Sequence, residues 1–509
     1  MDSILALINI DLNVDARRAV YTECDLDVRD CEKKTHDELL EIARSRINVF
    51  PYSSVKSCWF KLYTDASILK AAGFLMKLEY ETDFESERSE QLLSKAIAAL
   101  DYALIVAGGG DEKRKRLIQK VFVLLETLIV NQGTENEDEA PPTKRRRLDI
   151  PRSDTRHKQG HRQLPNGKCP TPHLKHPIRI LRSPSLRTFE SWAHKSHEPV
   201  VLQGALDHWP ALAKWKNVKY WWYKTLHGHR LVPVEIGQSY NDEDWRQEIM
   251  PFRQFLEGYI LINDNAEQYE VGYLAQHDLF RQIEGIRADV AVPDYCYCDM
   301  PKDEAMAKRH DLFTTKQETS AIEDEEDDDI QPEIHQNVWF GGRTVSPLHH
   351  DPYHNILCQV HGTKYIRLYS PEHTSNLYPK SKTEPAPHLQ SKAGPASGPI
   401  NEVQLHDDST TTGQGGDQRD SISIITQANS VDTSDNQPGT IDMSNNSSVD
   451  ILAMQLSPDE DWDEKWPGIS SVPYFECLLE AGEALFIPKG WWHYVRSLSA
   501  SGISVSFWW

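Results

Sequence analysis

The chain lacks a long apolar run. Its most apolar stretch, Val121–Val130, is short and broken by Glu126 and Thr127, whereas a bilayer span needs about 20 consecutive apolar residues. No charged n-region followed by an apolar segment opens it; MDSILALINIDLNVD carries acid at once, which excludes a secretory signal there. It has only 8 cysteines (Cys24, Cys31, Cys58, Cys169, Cys296, Cys298, Cys358 and Cys477), and no two form a CxxC pair. That excludes a disulfide-framed small domain and a zinc ribbon; reduced thiols are expected. Basic residues are also scarce: 55 Lys and Arg against 77 Asp and Glu leave a net charge of −22. A general nucleic-acid or membrane-surface binder would show a basic face, so no direct nucleic-acid or membrane partner is expected. What remains is a soluble intracellular protein whose acidity suits a basic protein or peptide partner. Its oligomeric state is not legible.

Three regions stand out in the 509 residues. Residues 1–132 read as helical: Leu93, Ile97, Leu100 and Leu104 recur on one helix face, as do Val121, Leu124, Leu125 and Leu128, with Gly108–Gly110 as the connection. Residues 133–176 are polar, charged and proline-rich and read as a disordered linker. It holds PPTKRRRLD, whose cluster Lys144–Arg147 reads as a nuclear import signal, with location in the nucleus and possibly also the cytoplasm. Residues 177–509 alternate helical patches such as Ser185–His194 with short strands: Val200–Leu202, Leu231–Ile236, Gln336–Phe340, Ile356–Val360, Tyr365–Tyr369, Ala484–Ile487 and Ile503–Trp509. Many short strands with turn signals predict a sandwich or barrel. An acidic run, 323–329, and a Ser/Thr-rich stretch with almost no aromatics, about 381–450, read as loops disordered between strands.

Chemistry concentrates at two places. In SPLHHDPYHN, residues 346–355, His349 and Asp351 stand two apart, so that on a strand both face one side. In GEALFIPKGWWHYV, residues 482–495, an apolar strand enters a Pro-Lys-Gly turn and His493 follows. Two histidines and a carboxylate on one face of an ion, with the opposite face open, suit non-haem iron(II). His350 would point away from Asp351 and is rejected. On the strand after Gly362, Lys364 shares a face with Ile366 and Leu368; a buried cation there calls for an anion. On the last strand Ser504, Ser506 and Trp508 alternate with Ile503, Val505, Phe507 and Trp509, and the small polar set suits a pocket.

SPLHHDPYHNILCQVHGTKYIRLYSP, GEALFIPKGWWHYVRSLS and the terminal SVSFWW together resemble the JmjC oxygenases. Within that family they look most like the branch described both as lysine-specific demethylase and as bifunctional peptidase and arginyl hydroxylase. The likeness covers about 177–509 and, less specifically, the helical part. It implies an α+β chain: a double-stranded β-helix (a cupin-like jelly roll) behind an all-α N-terminal domain. It implies Fe(II) and 2-oxoglutarate as cofactors and O2 as co-substrate, with His349, Asp351 and His493 as metal ligands. Tyr273, Ser346 and Asn355 match positions lining the 2-oxoglutarate beside Lys364 and Trp508. Glu235, Trp245, Gln276, Trp339 and Trp508 match positions around a substrate guanidinium, although Trp245 reads nearly as well as a surface-loop anchor. A carboxylate with aromatic faces suits arginine, so hydroxylation of a protein arginine is the leading expectation. Demethylation of a histone lysine is the alternative, and a non-catalytic chromatin adaptor a third reading, disfavoured by the complete ligand set. Replacing Lys144–Arg147 with alanines is expected to move a fluorescently tagged chain from nucleus to cytoplasm, an outcome read by cell imaging.

Overall fold

The structure, a computed structural model, describes residues 2–48, 55–81, 86–134, 163–167, 171–238, 245–262, 270–301, 334–382, 384–385 and 440–509. The basic cluster Lys144–Arg147, the acidic run 323–329 and the stretch 386–439 lie outside the described residues.

The N-terminal part is a helical bundle: α1 (Asp2–Asp11), α2 (Val14–Glu23), α3 (Val28–Cys31), α4 (His36–Ile47), α5 (Ser57–Glu79), α6 (Glu87–Ala107) and α7 (Glu112–Thr134). Local signals set its ends. Thr35 and Glu38 form a reciprocal cap on α4, and Ser86 accepts from the Ser89 N–H to start α6. Gly108, Gly109 and Gly110, at φ 59°, 81° and 74°, turn the chain from α6 into α7 through a left-handed run that disfavours any side chain. The predicted faces are real: Leu93, Ile97, Leu100 and Leu104 are buried, as are Val121 and Leu125. Among the described residues no helix is long and apolar enough to cross a membrane.

The C-terminal part is a two-sheet jelly roll. Among the described residues fifteen strands run in chain order: β1 (Ile180–Arg182), β2 (Val200–Gln203), β3 (Leu231–Ile236), β4 (Arg246–Pro251), β5 (Gly272–Leu274), β6 (His335–Gly341), β7 (Val345–His349), β8 (Asn355–His361), β9 (Thr363–Tyr369), β10 (Glu384–Pro385), β11 (Thr440–Ile441), β12 (Phe475–Glu480), β13 (Glu483–Ile487), β14 (Trp492–Ser497) and β15 (Gly502–Trp508). The larger sheet has the order β1-β2-β13-β8-β15-β6-β5-β3-β4 and the smaller β12-β9-β14-β7; β10 and β11 pair by themselves. This is the α+β arrangement expected, a jelly roll behind helices.

Alternation sorts the larger sheet's faces. Ile503, Val505 and Phe507 of β15, with Ile356, Cys358 and Val360 of β8, join an apolar core under Trp215 and Trp221. Their neighbours Asn355, Gln359, Ser504, Ser506 and Trp508 turn to the space between the sheets, paired across strands as Ser504↔Gln359 and Trp508↔Asn355. The smaller sheet's inner face is apolar at one end, where Ile366, Leu368, Cys477, Leu479 and Val495 meet Val201, Leu357 and Leu485, and polar at the other. The site therefore occupies the sandwich's own interior, beside the core.

Two expected boundaries need correction. Residues within the expected linker 133–176 are seated: Leu164 is buried, and the carbonyls of Pro165 and Gly167 accept from Ser501 Oγ and the Ala500 N–H. One leucine in a polar tract was enough to anchor it. The end of the expected loop 381–450 is also structured. The Ser447 N–H donates to Leu348 and the His350 N–H to Asn445, so 445–447 continues the smaller sheet beyond β7, and Val449 is buried. Backbone pairing needs no apolar side chains, which is why composition concealed it.

The two parts share packing. Leu226 of the jelly-roll part joins the helical core, carried there by Leu226, His227 and Gly228 at φ 49°, 58° and 82°. A Cβ on Gly228 would stand 2.7 Å from the Arg253 Cβ. Gly228→Ala is expected to destabilise the protein by roughly 2–4 kcal/mol through left-handed strain plus overpacking, measured by urea unfolding.

Candidate active site

His349 is the last residue of β7, and Asp351 lies past the strand end. The pair still falls on one side of the chain, with His350 between them on the other. β14 supplies His493, opposite His349 in register. One ligand atom from each of His349, Asp351 and His493 lies within 4.8 Å of the others, and among the described residues this is the group of such side chains able to hold a metal ion. The two imidazole centroids are 4.2 Å apart, and His493 Nε2 stands 3.8 Å from Asp351 Oδ2. His350 turns away against the Trp492 ring, with centroids 4.5 Å apart.

The rings are oriented by the backbone. His349 Nδ1 donates to the Pro347 carbonyl at 2.7 Å and His493 Nδ1 to the Trp491 carbonyl at 3.0 Å. A carbonyl only accepts, so each Nδ1 carries the proton and each Nε2 keeps its lone pair for an ion. Burial, reinforced by His349 alongside, holds His493 well below the usual imidazole pKa and therefore neutral. Burial alone would raise the Asp351 carboxyl, but His493, His349 and the Trp508 indole outweigh it and hold it low. The Trp508 Nε1 donates to Asp351 Oδ2 at 3.1 Å. Two imidazoles and a carboxylate held low in pKa are the donor set of a facial divalent iron site.

Beside this group lies the candidate co-substrate pocket. Lys364 on β9 is 5% exposed and shares the inner face with Ile366 and Leu368, as the alternation predicts. Burial lowers its ammonium to about 7. Among the described residues no carboxylate pairs with it; the Tyr273 ring lies 6.0 Å away. Asn355 Oδ1 and Ser504 Oγ are buried without hydrogen-bond partners. A bound dicarboxylate fits this set. It gives Lys364 its anion and Ser504 an acceptor, and the Asn355 amide, turned about its axis, can donate. Ser346 reaches the same cavity through a bulge: Val495 pairs with Ser346 while His493 pairs with His349. Cross-strand partners share a face, so Ser346 and His349 both point inward although three apart.

The aromatic wall continues from there. Trp339 Nε1 donates to Ser506 Oγ at 2.9 Å; Trp339 meets Trp508 edge-on and stacks on Tyr273, each at 5.9 Å. Glu235 on β3 sits opposite Tyr273 of β5 and Gln247 of β4. Burial raises its carboxyl to about 7, moderated by the Gln247 and Trp245 side chains facing it. Trp245 thus stands at the carboxylate. Gln276 is exposed on the turn beyond β5, with φ 50°, so its exposure sets it apart from this buried wall. Sequence reasoning missed Gln247, Thr344 beside Tyr273, and Gln359, whose buried Oε1 has no partner. Period-two alternation from Asn355 would have found Gln359; the others needed the pairing of distant strands.

A jelly roll with two imidazoles and one carboxylate converging between its sheets defines a cupin-type metal centre. The family model described as "Cupin-like domain" matches residues 186–509, and this chain belongs to that family, as a JmjC member. The chain is 35% identical over 333 residues to "Lysine-specific demethylase 8" of Xenopus tropicalis, covering 65% of this chain and 52% of that protein. It is 28% identical over 498 residues to "Lysine-specific demethylase 8" of Danio rerio, covering 97% and 91%. It is 32% identical over 312 residues to "Lysine-specific demethylase JMJ30" of Arabidopsis thaliana, covering 61% and 49%. The match spans about half the length of the frog and plant relatives.

His349→Ala, Asp351→Ala and His493→Ala are each expected to abolish tight metal binding, followed anaerobically with Fe(II) or by Co(II) absorption. Trp508→Phe, which removes only the indole donor to Asp351, should weaken binding about tenfold or more, as loss of an outer-shell partner does. Unchanged affinity in the His493 variant would show that another group completes the site.

Proposed function

We propose that the protein is an iron(II)- and 2-oxoglutarate-dependent oxygenase acting on a cationic side chain of a protein. One observation supports this reading: the triad His349, Asp351 and His493 shares the inner face of the smaller sheet with a buried lysine, Lys364, that has no carboxylate partner among the described residues. When bound, iron with 2-oxoglutarate and O2 supplies the oxidation, in which one oxygen atom ends in succinate as carbon dioxide leaves and the other enters a substrate C–H bond. The chain's own residues do the rest. His349, Asp351 and His493 would hold the ion on one face and leave the other open. Lys364, Ser504 and Asn355 would grip the distal carboxylate, while Trp339, Trp508 and Tyr273 exclude water. Nuclear location through Lys144–Arg147 belongs to the same proposal.

For the substrate, the relatives' names support N-methyl-lysine demethylation, in which the hydroxylated methyl leaves as formaldehyde. The tryptophans suit a methylammonium face-on. Arginine hydroxylation is the second reading, favoured by the buried Glu235, which offers a guanidinium a charged, two-oxygen acceptor.

Mass spectrometry of dimethyl-lysine and arginine peptides after incubation with Fe(II), 2-oxoglutarate and O2 separates them: loss of methyl against gain of one oxygen. Glu235→Ala is expected to cost about 2–5 kcal/mol in turnover of an arginine peptide, the usual effect of truncating one partner of a buried charge pair, and less with methyl-lysine. Because the Glu235 carboxyl is raised to about 7, it is neutral below that pH and charged above it. Binding of a cationic peptide should therefore strengthen from pH 6 to pH 8 in the wild type, and Glu235→Gln should flatten that rise. Demethylation unaffected by Glu235→Ala would retire the arginine reading; no turnover of 2-oxoglutarate with either peptide would defeat the oxygenase assignment.

A further inference from the structure

The helical bundle and the jelly roll meet at one carboxylate. Asp101 of α6 is fully buried. Its oxygens accept from Arg230 Nε at 2.9 and 3.0 Å, Arg230 Nη2 at 2.7 Å, the Leu231 N–H at 2.7 Å and Gln282 Nε2 at 2.8 Å. All these donors belong to the jelly-roll part. The Arg230 guanidinium is itself buried and lies 3.7 Å from the centroid of Phe122 of α7.

Each donor leads toward the substrate wall. Leu231 opens β3, and Leu231, Pro233 and Glu235 alternate onto one face of that strand. Gln282 Nε2 also donates to the Leu231 carbonyl at 2.6 Å, and its Oε1 faces His277 Nε2 at 2.7 Å. His277 follows Gln276 and lies four residues past Tyr273. β3 and β5 are themselves paired at Glu235↔Tyr273. Asp101 thus ties together the entry to the strand that carries Glu235 and the exit from the strand that carries Tyr273.

We infer that Asp101 is a positioning residue for the substrate pocket: acting through Leu231 and through Gln282 and His277, it sets where Glu235 and Tyr273 stand. The inference rests on the reading that Glu235 meets the substrate cation. Without the Asp101 charge, Arg230 is left buried and unpaired, a state costly enough to displace the loop that holds it. β3 is paired along its whole length to β4 and at Glu235 and Ile236 to β5, so a displacement at Leu231 is passed along the strand to the point where Glu235 meets Tyr273. The helical bundle then takes part in substrate recognition while touching neither metal nor co-substrate residues.

The test uses the full-length iron-loaded protein with Asp101→Asn, which keeps the shape and loses the charge, and with Asp101→Asn/Arg230→Gln, which also removes the orphaned cation. Hydrogen–deuterium exchange is expected to quicken in 231–236 and 272–277 of Asp101→Asn and to stay unchanged in 502–508. Affinity for a basic peptide should fall about tenfold, the scale of coupling through a packed element, and 2-oxoglutarate affinity should fall less, because Tyr273 shifts while Lys364, Ser504 and Asn355 stay in place. The double variant should recover part of both losses. Exchange that rises only in α6 and 226–230, or uniformly across the jelly roll, would overturn the inference, as would a loss of 2-oxoglutarate affinity equal to or greater than that of peptide affinity. If wild type binds no basic peptide, the substrate reading fails by itself, while the exchange pattern still judges Asp101.

Discussion

A lysine ammonium inside a β-sandwich is the constraint on which the rest of the site depends. Lys364 lies between two sheets whose shared space is apolar at one end and lined at the other by Asn355, Gln359, Ser504, Ser506 and Trp508. Burial alone drives its pKa down to about 7, so its surroundings disfavour the charged form. In the proposed reading, a dicarboxylate would relieve this more completely than water can, and stability set aside at one point of the interior would be returned as selectivity for an anion.

Period-two geometry keeps that arrangement from dissolving the core. β15 shows it in seven residues. Ile503, Val505 and Phe507 enter the large apolar cluster, while Ser504, Ser506 and Trp508 face the cavity. The same division on β8 sends Ile356, Cys358 and Val360 outward and Asn355 and Gln359 inward. A slip of one residue would exchange the two sets, so the apolar face fixes the register of the polar one. The carbonyls of Pro347 and Trp491 extend the principle to the metal ligands, since the backbone of each histidine's own strand sets its ring.

Much of this was legible in the sequence because it is local. The HxD spacing, the late histidine after Pro-Lys-Gly, and the alternation around Lys364 and along β15 are short-range patterns, and they named the triad and the inner faces. The jelly roll followed from the succession of short strands and from likeness. What escaped depends on distant pairing or on backbone. Asp351 falls beyond the end of β7, a boundary that the HxD spacing does not show. Ser346 reaches the cavity only because β7 bulges against β14, and the bulge is not visible in one strand's side chains. Asn445–Ser447 looked like polar filler because its hydrogen bonds are made by the backbone. Asp101 carried no signal, as a lone acid on a helix face is ordinarily solvated; only the arrival of Arg230, Leu231 and Gln282 makes it a junction.

The return leg after the long Ser/Thr-rich stretch has a wider consequence. Its described ends are laced together before they leave the sheet: β10 pairs with β11, the Lys380 N–H donates to Asn446 and the Met443 N–H to Ser381. Closure is therefore complete at the stem, and adding residues beyond it costs only about 0.6 kcal/mol for each doubling of loop length. The stem acts as a firebreak: a change of length beyond it is expected to leave the strand bearing His349 in place.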